Sequence, residues 1–165
     1  MKKLVLSIAA IIIMVTIVVV ALVFLRVFRL PFVYVTILGA NHSLTHWIGW
    51  IGALYIAFAT PVYPITKRKF PPLIKSALSS HIVGNLIAVL LVSTHFAHQV
   101  TRPASSYPDL GTGIVLYATM IILVSTGFVQ YSSIAKKYIN QMKFLHPAFA
   151  LTFYTVIVMH IIQGI

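Results

Sequence analysis

The chain has 165 residues, of which 60% are hydrophobic and only 8% are charged, and its mean hydropathy is +1.01. This composition excludes a soluble domain and predicts a polytopic membrane protein with one domain over residues 1–165. The net charge of +11 does not indicate a nucleic-acid partner, because the basic residues stand in short segments between apolar runs, as the positive-inside rule describes.

Acidic residues and cysteines are nearly or wholly missing from the chain. Asp109 is its only acidic residue, which argues against carboxylate-pair catalysis, carboxylate metal sites and carboxylate proton relays. The lack of cysteine excludes disulfides, iron–sulfur clusters and covalent c-type haem. Any haem would therefore be bound non-covalently.

Five apolar runs are long enough to cross a membrane as helices. The first is apolar on all its faces, which predicts a helix that faces lipid. It is too long for a signal peptide and lacks a small-residue cleavage site, so we expect it to be retained. The five runs cover about residues 4–25, 44–65, 76–100, 112–132 and 144–164.

Two segments between or within these runs are less regular. Residues 32–40 form a short apolar connection that we interpret as a re-entrant or interfacial piece. Pro61 and Pro64 stand near the end of the second run and are expected to end or kink its helix.

The distribution of Lys and Arg predicts the orientation of the chain in the cytoplasmic (plasma) membrane. With the N-terminus inside and the C-terminus outside, nine basic residues fall on the inner side and three on the outer side. The outer three are Arg26, Arg29 and Arg102, and the inner nine are Lys2, Lys3, Lys67, Arg68, Lys69, Lys75, Lys136, Lys137 and Lys143.

Two of the spans carry histidines at the same spacing. His81 and His95 lie fourteen residues apart in the third span, as do His146 and His160 in the fifth. Fourteen residues rise about 21 Å along a helix and return to nearly the same face. Because one span separates these two, they run parallel, which places His81 level with His146 and His95 level with His160. Facing imidazoles are typical axial ligands of haem iron, whereas the alternative is that they only hold helices together.

Residues around the histidines are compatible with a flat macrocycle. Gly84 and Ala88 would leave room beside His81 and His95, and Phe153 lies midway between the other two histidines. The alternative for these residues is ordinary helix packing. The cations expected at the haem propionates are Lys75 and Lys143 on the inner side and Arg102 on the outer side, unless they are only flanking, snorkelling residues.

Three further histidines, His42, His46 and His98, fall on the outer side. They are candidates for an outer metal site or for an acceptor or quinone pocket, and the alternative is that they are solvated at the interface. His98 is also a rival haem ligand, but its spacing turns it about 100° away from the face of His81.

Two parallel transmembrane helices, each with a His-x13-His pair, resemble the di-haem core of ferric reductase-type transmembrane domains, which the cytochrome b of quinol-oxidising complexes shares. The resemblance covers about residues 67–164 and rests on His81, His95, His146 and His160. It implies that these four are axial ligands of two b-type haems. The sixth span and the flavin and nicotinamide domain of ferric reductases are not matched, and no G-x-G-x-x-G motif is present, so direct NADPH oxidation is excluded for this chain.

The sequence thus predicts an all-α helix bundle of about five transmembrane helices with a di-haem core. The expected function is transmembrane electron transfer through two haem b groups, as a membrane subunit of a larger oxidoreductase, such as a respiratory-chain complex, and not as a complete enzyme. The expected partners are membrane lipid and donor and acceptor subunits, with no nucleic acid; a quinone is a partner in the first alternative below. Two alternatives remain open: a quinone-reactive membrane anchor with one haem, and a structural subunit without a cofactor.

Overall fold

The computed structural model describes residues 2–28, 33–103 and 110–164. It is 85% helical, which confirms the prediction of a mainly helical protein. Within the described ranges, five helices are long and apolar enough to cross a membrane. They are α1 (Lys2–Phe24), α2 (Leu44–Lys69), α3 (Ile74–Val100), α4 (Gly111–Ser132) and α5 (Ile139–Gly164).

Helix α1 packs against α3 through only a few of its side chains. Val5, Ala9 and Val23 are buried, whereas most of its other large apolar side chains are exposed, among them Ile11 and Ile17. A helix with apolar side chains on every face can leave most of them in contact with lipid, because lipid tails are as apolar as the side chains.

A β-hairpin precedes α2, where the sequence predicted a re-entrant or interfacial piece. Strand β1 (Tyr34–Ile37) pairs antiparallel with β2 (Ala40–Ser43), and Ile37 lies opposite Ala40. The two turn residues, Leu38 and Gly39, have φ values of 52° and 84°. Positive φ at both central residues defines a type I′ turn, whose twist matches that of the strands. The prediction of an all-helical chain is therefore incomplete here.

The two prolines of α2 do not end that helix, which corrects one of the two outcomes expected for them. Pro61 and Pro64 lie inside α2, and the helix continues to Lys69. Apolar, membrane-type helices tolerate proline because neighbouring groups satisfy the carbonyls that lose a donor. A 3₁₀ turn, Pro71–Leu73, then leads directly into α3.

The chain forms two compact units, Met1–Pro108 and Asp109–Ile165. In the first unit α2 packs antiparallel to α3, with Gly52 of α2 against Ala88 of α3. In the second unit α4 packs antiparallel to α5, and the Gln130 side chain donates to the Met142 carbonyl at 2.8 Å. Each unit thus contains a helical hairpin whose second helix carries one of the His-x13-His pairs. The prediction of a single domain over the whole chain stays a prediction.

The turn of the β-hairpin gives a test of the fold. Leucine is strained at positive φ by about 1–2 kcal/mol, whereas glycine is not, and the Leu38 side chain is fully exposed. Leu38→Gly should therefore keep or increase the hydrogen-exchange protection of the Ala40 amide. Gly39→Ala should reduce it, because the substitution places a Cβ at φ 84°. Equal effects of the two substitutions would contradict the type I′ turn.

Candidate functional site

The ring of His146 on α5 is held by the last turns of α4. Its Nδ1 lies 3.0 Å from the Leu123 carbonyl oxygen and 3.1 Å from the Thr126 hydroxyl. Thr126 itself donates to the Leu123 carbonyl at 2.8 Å. Because a carbonyl oxygen only accepts, Nδ1 of His146 carries the proton and donates, and Nε2 carries the lone pair. This is the tautomer of a histidine that binds a metal through Nε2.

His160, fourteen residues further along α5, lies against the first turn of α4 in a similar way. Its Nδ1 is 3.1 Å from the Thr112 hydroxyl, so a threonine of α4 again contacts the Nδ1 side of the ring. The two histidines of α5 are both half-buried and both face α4.

A Thr-Gly pair occurs twice on α4, at the positions that meet these two histidines. Thr112-Gly113 and Thr126-Gly127 are fourteen residues apart, as are His146 and His160. A Cβ built on Gly127 would lie 2.9 Å from His146 Cε1, and one on Gly113 would lie 3.4 Å from His160 Cε1. The glycines therefore let the imidazole rings lie directly against the α4 backbone. This repeated pair was not among the residues predicted from the sequence, although its spacing equals that of His146 and His160.

His95 on α3 has the same kind of support from α2. Its Nδ1 lies 3.1 Å from the Thr45 carbonyl oxygen, which fixes the tautomer as it does for His146. A Cβ on Gly49 would lie 2.8 Å from His95 Cγ, so a glycine again allows the close approach of the ring. The ring of His46 packs edge-on against His95, with 5.2 Å between centroids.

His81 has different surroundings from the other three. Its ring stacks on Tyr63 of α2 at 5.2 Å between centroids and 27° between planes. Asn85 lies one turn further along the same helix, and its side-chain amide is 3.3 and 3.4 Å from the two ring nitrogens of His81. The four histidines are therefore not equivalent: three have Nδ1 bonded to the preceding helix, and His81 is stacked on a tyrosine.

His81 also borders a cavity of about 260 Å³ between α2 and α3. The cavity is lined mainly by apolar and aromatic groups, namely Tyr55, Phe58, Ala59, Val62, Tyr63, Ala77, Ser80 and His81. The Tyr55 hydroxyl donates to the Ser80 carbonyl at 3.0 Å, which joins α2 to α3 beside the cavity.

Gly84 and Ala88, the small residues predicted to leave room for a macrocycle, pack against α2. A Cβ on Gly84 would overlap the Tyr55 phenol ring, and Ala88 is buried with its carbonyl oxygen facing Gly52. This is the ordinary packing role that the sequence analysis left open as the alternative. Phe153 on α5 is 2% exposed, and its place between two haems stays a prediction.

The cations predicted at the propionates differ in exposure. Lys75 and Lys143 are exposed, and Arg102 is half-buried. An exposed lysine at a helix end is as compatible with snorkelling as with a propionate contact, so their role stays a prediction.

The three outer histidines do not form a common cluster. His42 stacks on His46 at 4.3 Å between ring centroids. His98 is 2% exposed, and its Nδ1 lies 2.7 Å from the Thr45 hydroxyl, so the alternative of a solvated residue is wrong for His98. In residues 2–28, 33–103 and 110–164, no group of three or more His, Cys, Asp or Glu side chains is arranged to hold a metal ion. The outer metal site therefore gains no support.

Comparison with known proteins finds no match for this chain, neither a family model, nor a curated protein, nor a solved structure. The resemblance to ferric reductase-type domains and cytochrome b therefore stays a prediction from four histidines.

The two Thr-Gly pairs of α4 give a matched test of the site geometry. Gly→Ala in a helix is stabilising by roughly 1 kcal/mol unless the new methyl group clashes. Gly113→Ala, with 3.4 Å to His160 Cε1, should keep or raise the thermal stability of the purified protein. Gly127→Ala, with 2.9 Å to His146 Cε1, should lower it, because the ring must move off its bond to the Leu123 carbonyl. A stabilising Gly127→Ala substitution would show that the His146 ring does not pack against α4.

Proposed function

We propose that this protein is an integral membrane protein that transfers electrons across the membrane through non-covalently bound b-type haem. The proposed ligands are His81 and His95 on α3 and His146 and His160 on α5. By the level pairing that the sequence predicts, each haem would be held by one histidine from each helix. Bound haem would supply one-electron oxidation and reduction of its iron.

The observation that carries the proposal is the hydrogen bonding of three imidazoles through Nδ1. A metal-ligating histidine nearly always donates its other ring N–H to a carbonyl, carboxylate or water, which fixes its tautomer and orientation. His95 and His146 donate to backbone carbonyls, and His160 meets a threonine hydroxyl. In all three histidines the bonded ring nitrogen is Nδ1, which leaves Nε2 for a metal ion.

The surrounding groups also suit neutral imidazoles as the ligands of a low-spin haem. The four histidines lie on helices that are apolar enough to span a membrane, where a charged imidazolium would be costly. Gly49, Gly113 and Gly127 bring three of the rings against backbone, so packing restrains the rings. The tautomers of His95 and His146, and the packing of the rings against backbone, thus fit histidines that bind haem iron.

A second candidate, a quinone-reactive anchor with one haem, is favoured by the surroundings of His81. Its ring is stacked on Tyr63 and lies against the Asn85 side-chain amide, whereas Nδ1 of His95 and Nδ1 of His146 are bonded to backbone carbonyls. In this candidate, His95 and His160 would hold the single haem. The number of haems per chain separates the two candidates: two for the di-haem conduit and one for the anchor.

The protein is proposed to act as the membrane subunit of a larger redox complex, in which other subunits supply and accept the electrons. One acidic residue and no cysteine leave this chain few groups of its own for flavin, iron–sulfur or carboxylate chemistry. Co-purification with donor and acceptor subunits is the expected result for the native complex.

His95→Ala and His98→Ala form a matched pair that tests the ligand assignment. Both residues lie near the end of α3 and are bonded to Thr45. Nδ1 of His95 contacts the Thr45 carbonyl, and Nδ1 of His98 contacts the Thr45 hydroxyl. His95→Ala should lower the haem content, measured by the pyridine haemochrome assay, from two per chain to one. His98→Ala should leave it unchanged. Loss of a haem on His98→Ala, with helix content retained by circular dichroism, would assign the ligand to His98 instead.

The orientation proposed from the basic residues, with the N-terminus in the cytoplasm, is tested by single cysteines. Because the chain has no cysteine, a substitution at an exposed position carries the only thiol. A membrane-impermeant maleimide added to intact cells should label Leu38→Cys, in the hairpin turn, and spare Lys69→Cys at the end of α2. The reverse pattern would place the N-terminus outside.

A further inference from the structure

A cluster of basic residues follows the lining of the α2–α3 cavity along the chain, where the two helices connect. Phe58 and Val62 on α2 and Ala77 on α3 line the apolar part of the cavity. The Tyr55–Ser80 hydrogen bond joins two of its lining residues, one on α2 and one on α3. We call this cavity the α2–α3 groove.

The charge cluster, here called the basic end, consists of Lys67, Arg68, Lys69 and Lys75, and all four side chains are exposed. The first three are the last residues of α2, and the fourth lies in the first turn of α3. Lys75 is two residues from groove residue Ala77, and Lys67 is five residues from Val62. Five helical residues rise about 7.5 Å, so the cations stand within about one and a half turns of the groove.

The chain itself offers little negative charge for the basic end. Its Lys and Arg residues number twelve, against a single Asp or Glu. Clusters of four or more Lys and Arg directly beside a membrane helix are typical of sites for anionic lipid, and basic pockets between such helices bind lipid head groups. Charge complementarity therefore points to an anionic group at the basic end. The apolar lining of the groove points to an apolar group there.

We propose that the α2–α3 groove binds an acyl chain of an anionic phospholipid, whose phosphate lies on the basic end. One ligand with a negatively charged head and an apolar tail accounts for both features. The cavity of about 260 Å³ lies below the range of about 300–1,000 Å³ that is typical of pockets for compact, drug-sized molecules. Its lining on α2 runs from Tyr55 to Tyr63, about 12 Å along the helix, which suits an extended chain.

The proposal is tested by native mass spectrometry of the full-length protein released from nanodiscs. The nanodiscs contain palmitoyl-oleoyl phosphatidylglycerol and phosphatidylcholine in equal amounts. One phosphatidylglycerol should be retained per chain in preference to phosphatidylcholine. Equal retention of the two lipids would overturn the proposal.

Two matched pairs of variants separate the head-group contact from the groove. Lys67→Gln/Lys69→Gln should reduce the preference for phosphatidylglycerol by roughly twenty-fivefold, because each cation near a membrane surface is worth about fivefold in binding. Lys136→Gln/Lys137→Gln, at the connection before α5, is the control and should leave the preference unchanged. If both pairs reduced the preference for phosphatidylglycerol equally, charge would act only from a distance. That result would contradict a head-group site at the basic end.

Ala77→Leu places a larger side chain in the groove and should reduce retention of both lipids, whereas Ala118→Leu, on an exposed face of α4, should not. Unchanged lipid retention in Ala77→Leu would contradict the binding of an acyl chain in the groove. Circular dichroism checks that both variants keep their helix content.

Two competitors distinguish other sources of the same chemistry. Glycerol 3-phosphate, which has a phosphate but no acyl chain, should not displace the bound phosphatidylglycerol. A short-chain ubiquinone analogue should not displace it either. Displacement by the first would assign the basic end to a free anion, and displacement by the second would assign the groove to a quinone; each result would overturn the proposal.

Discussion

The hydrogen bond from His146 Nδ1 to the Leu123 carbonyl is the interaction on which the functional account depends. It joins α5 to α4, and it fixes which ring nitrogen carries the proton, since the carbonyl oxygen has nothing to donate. The same bond recurs between His95 and the Thr45 carbonyl on the other helical hairpin. An imidazole held in this way presents a lone pair on Nε2, and the bond thus links helix packing to metal chemistry.

The hairpin α4–α5 shows how a repeated spacing produces a repeated environment. Antiparallel helices keep their register over fourteen residues, so Thr112-Gly113 and Thr126-Gly127 meet His160 and His146 in turn. Glycine permits the approach of the ring, and threonine supplies a hydroxyl on its Nδ1 side. The hairpin α2–α3 reaches a similar result at His95 with a backbone carbonyl and Gly49, and a different result at His81, where Tyr63 stacks on the ring.

Hydropathy alone predicted every end of the five helices to within about five residues, because each helix contains an uninterrupted apolar run. The β-hairpin was missed because its apolar, β-branched residues read as part of a membrane segment, and its turn depends on φ values at Leu38 and Gly39. The four histidines were visible from their spacing. Their hydrogen bonds were not, since residues such as Thr45 and His95 are fifty positions apart and meet only once α2 and α3 have packed.

Near-infrared magnetic circular dichroism of the oxidised, purified protein tests the central claim most directly, because it reports the axial ligands of haem iron. The account predicts a spectrum of low-spin haem with two imidazole ligands. A spectrum of five-coordinate haem or of histidine–methionine ligation, or a purified and folded protein that takes up no haem, would contradict it.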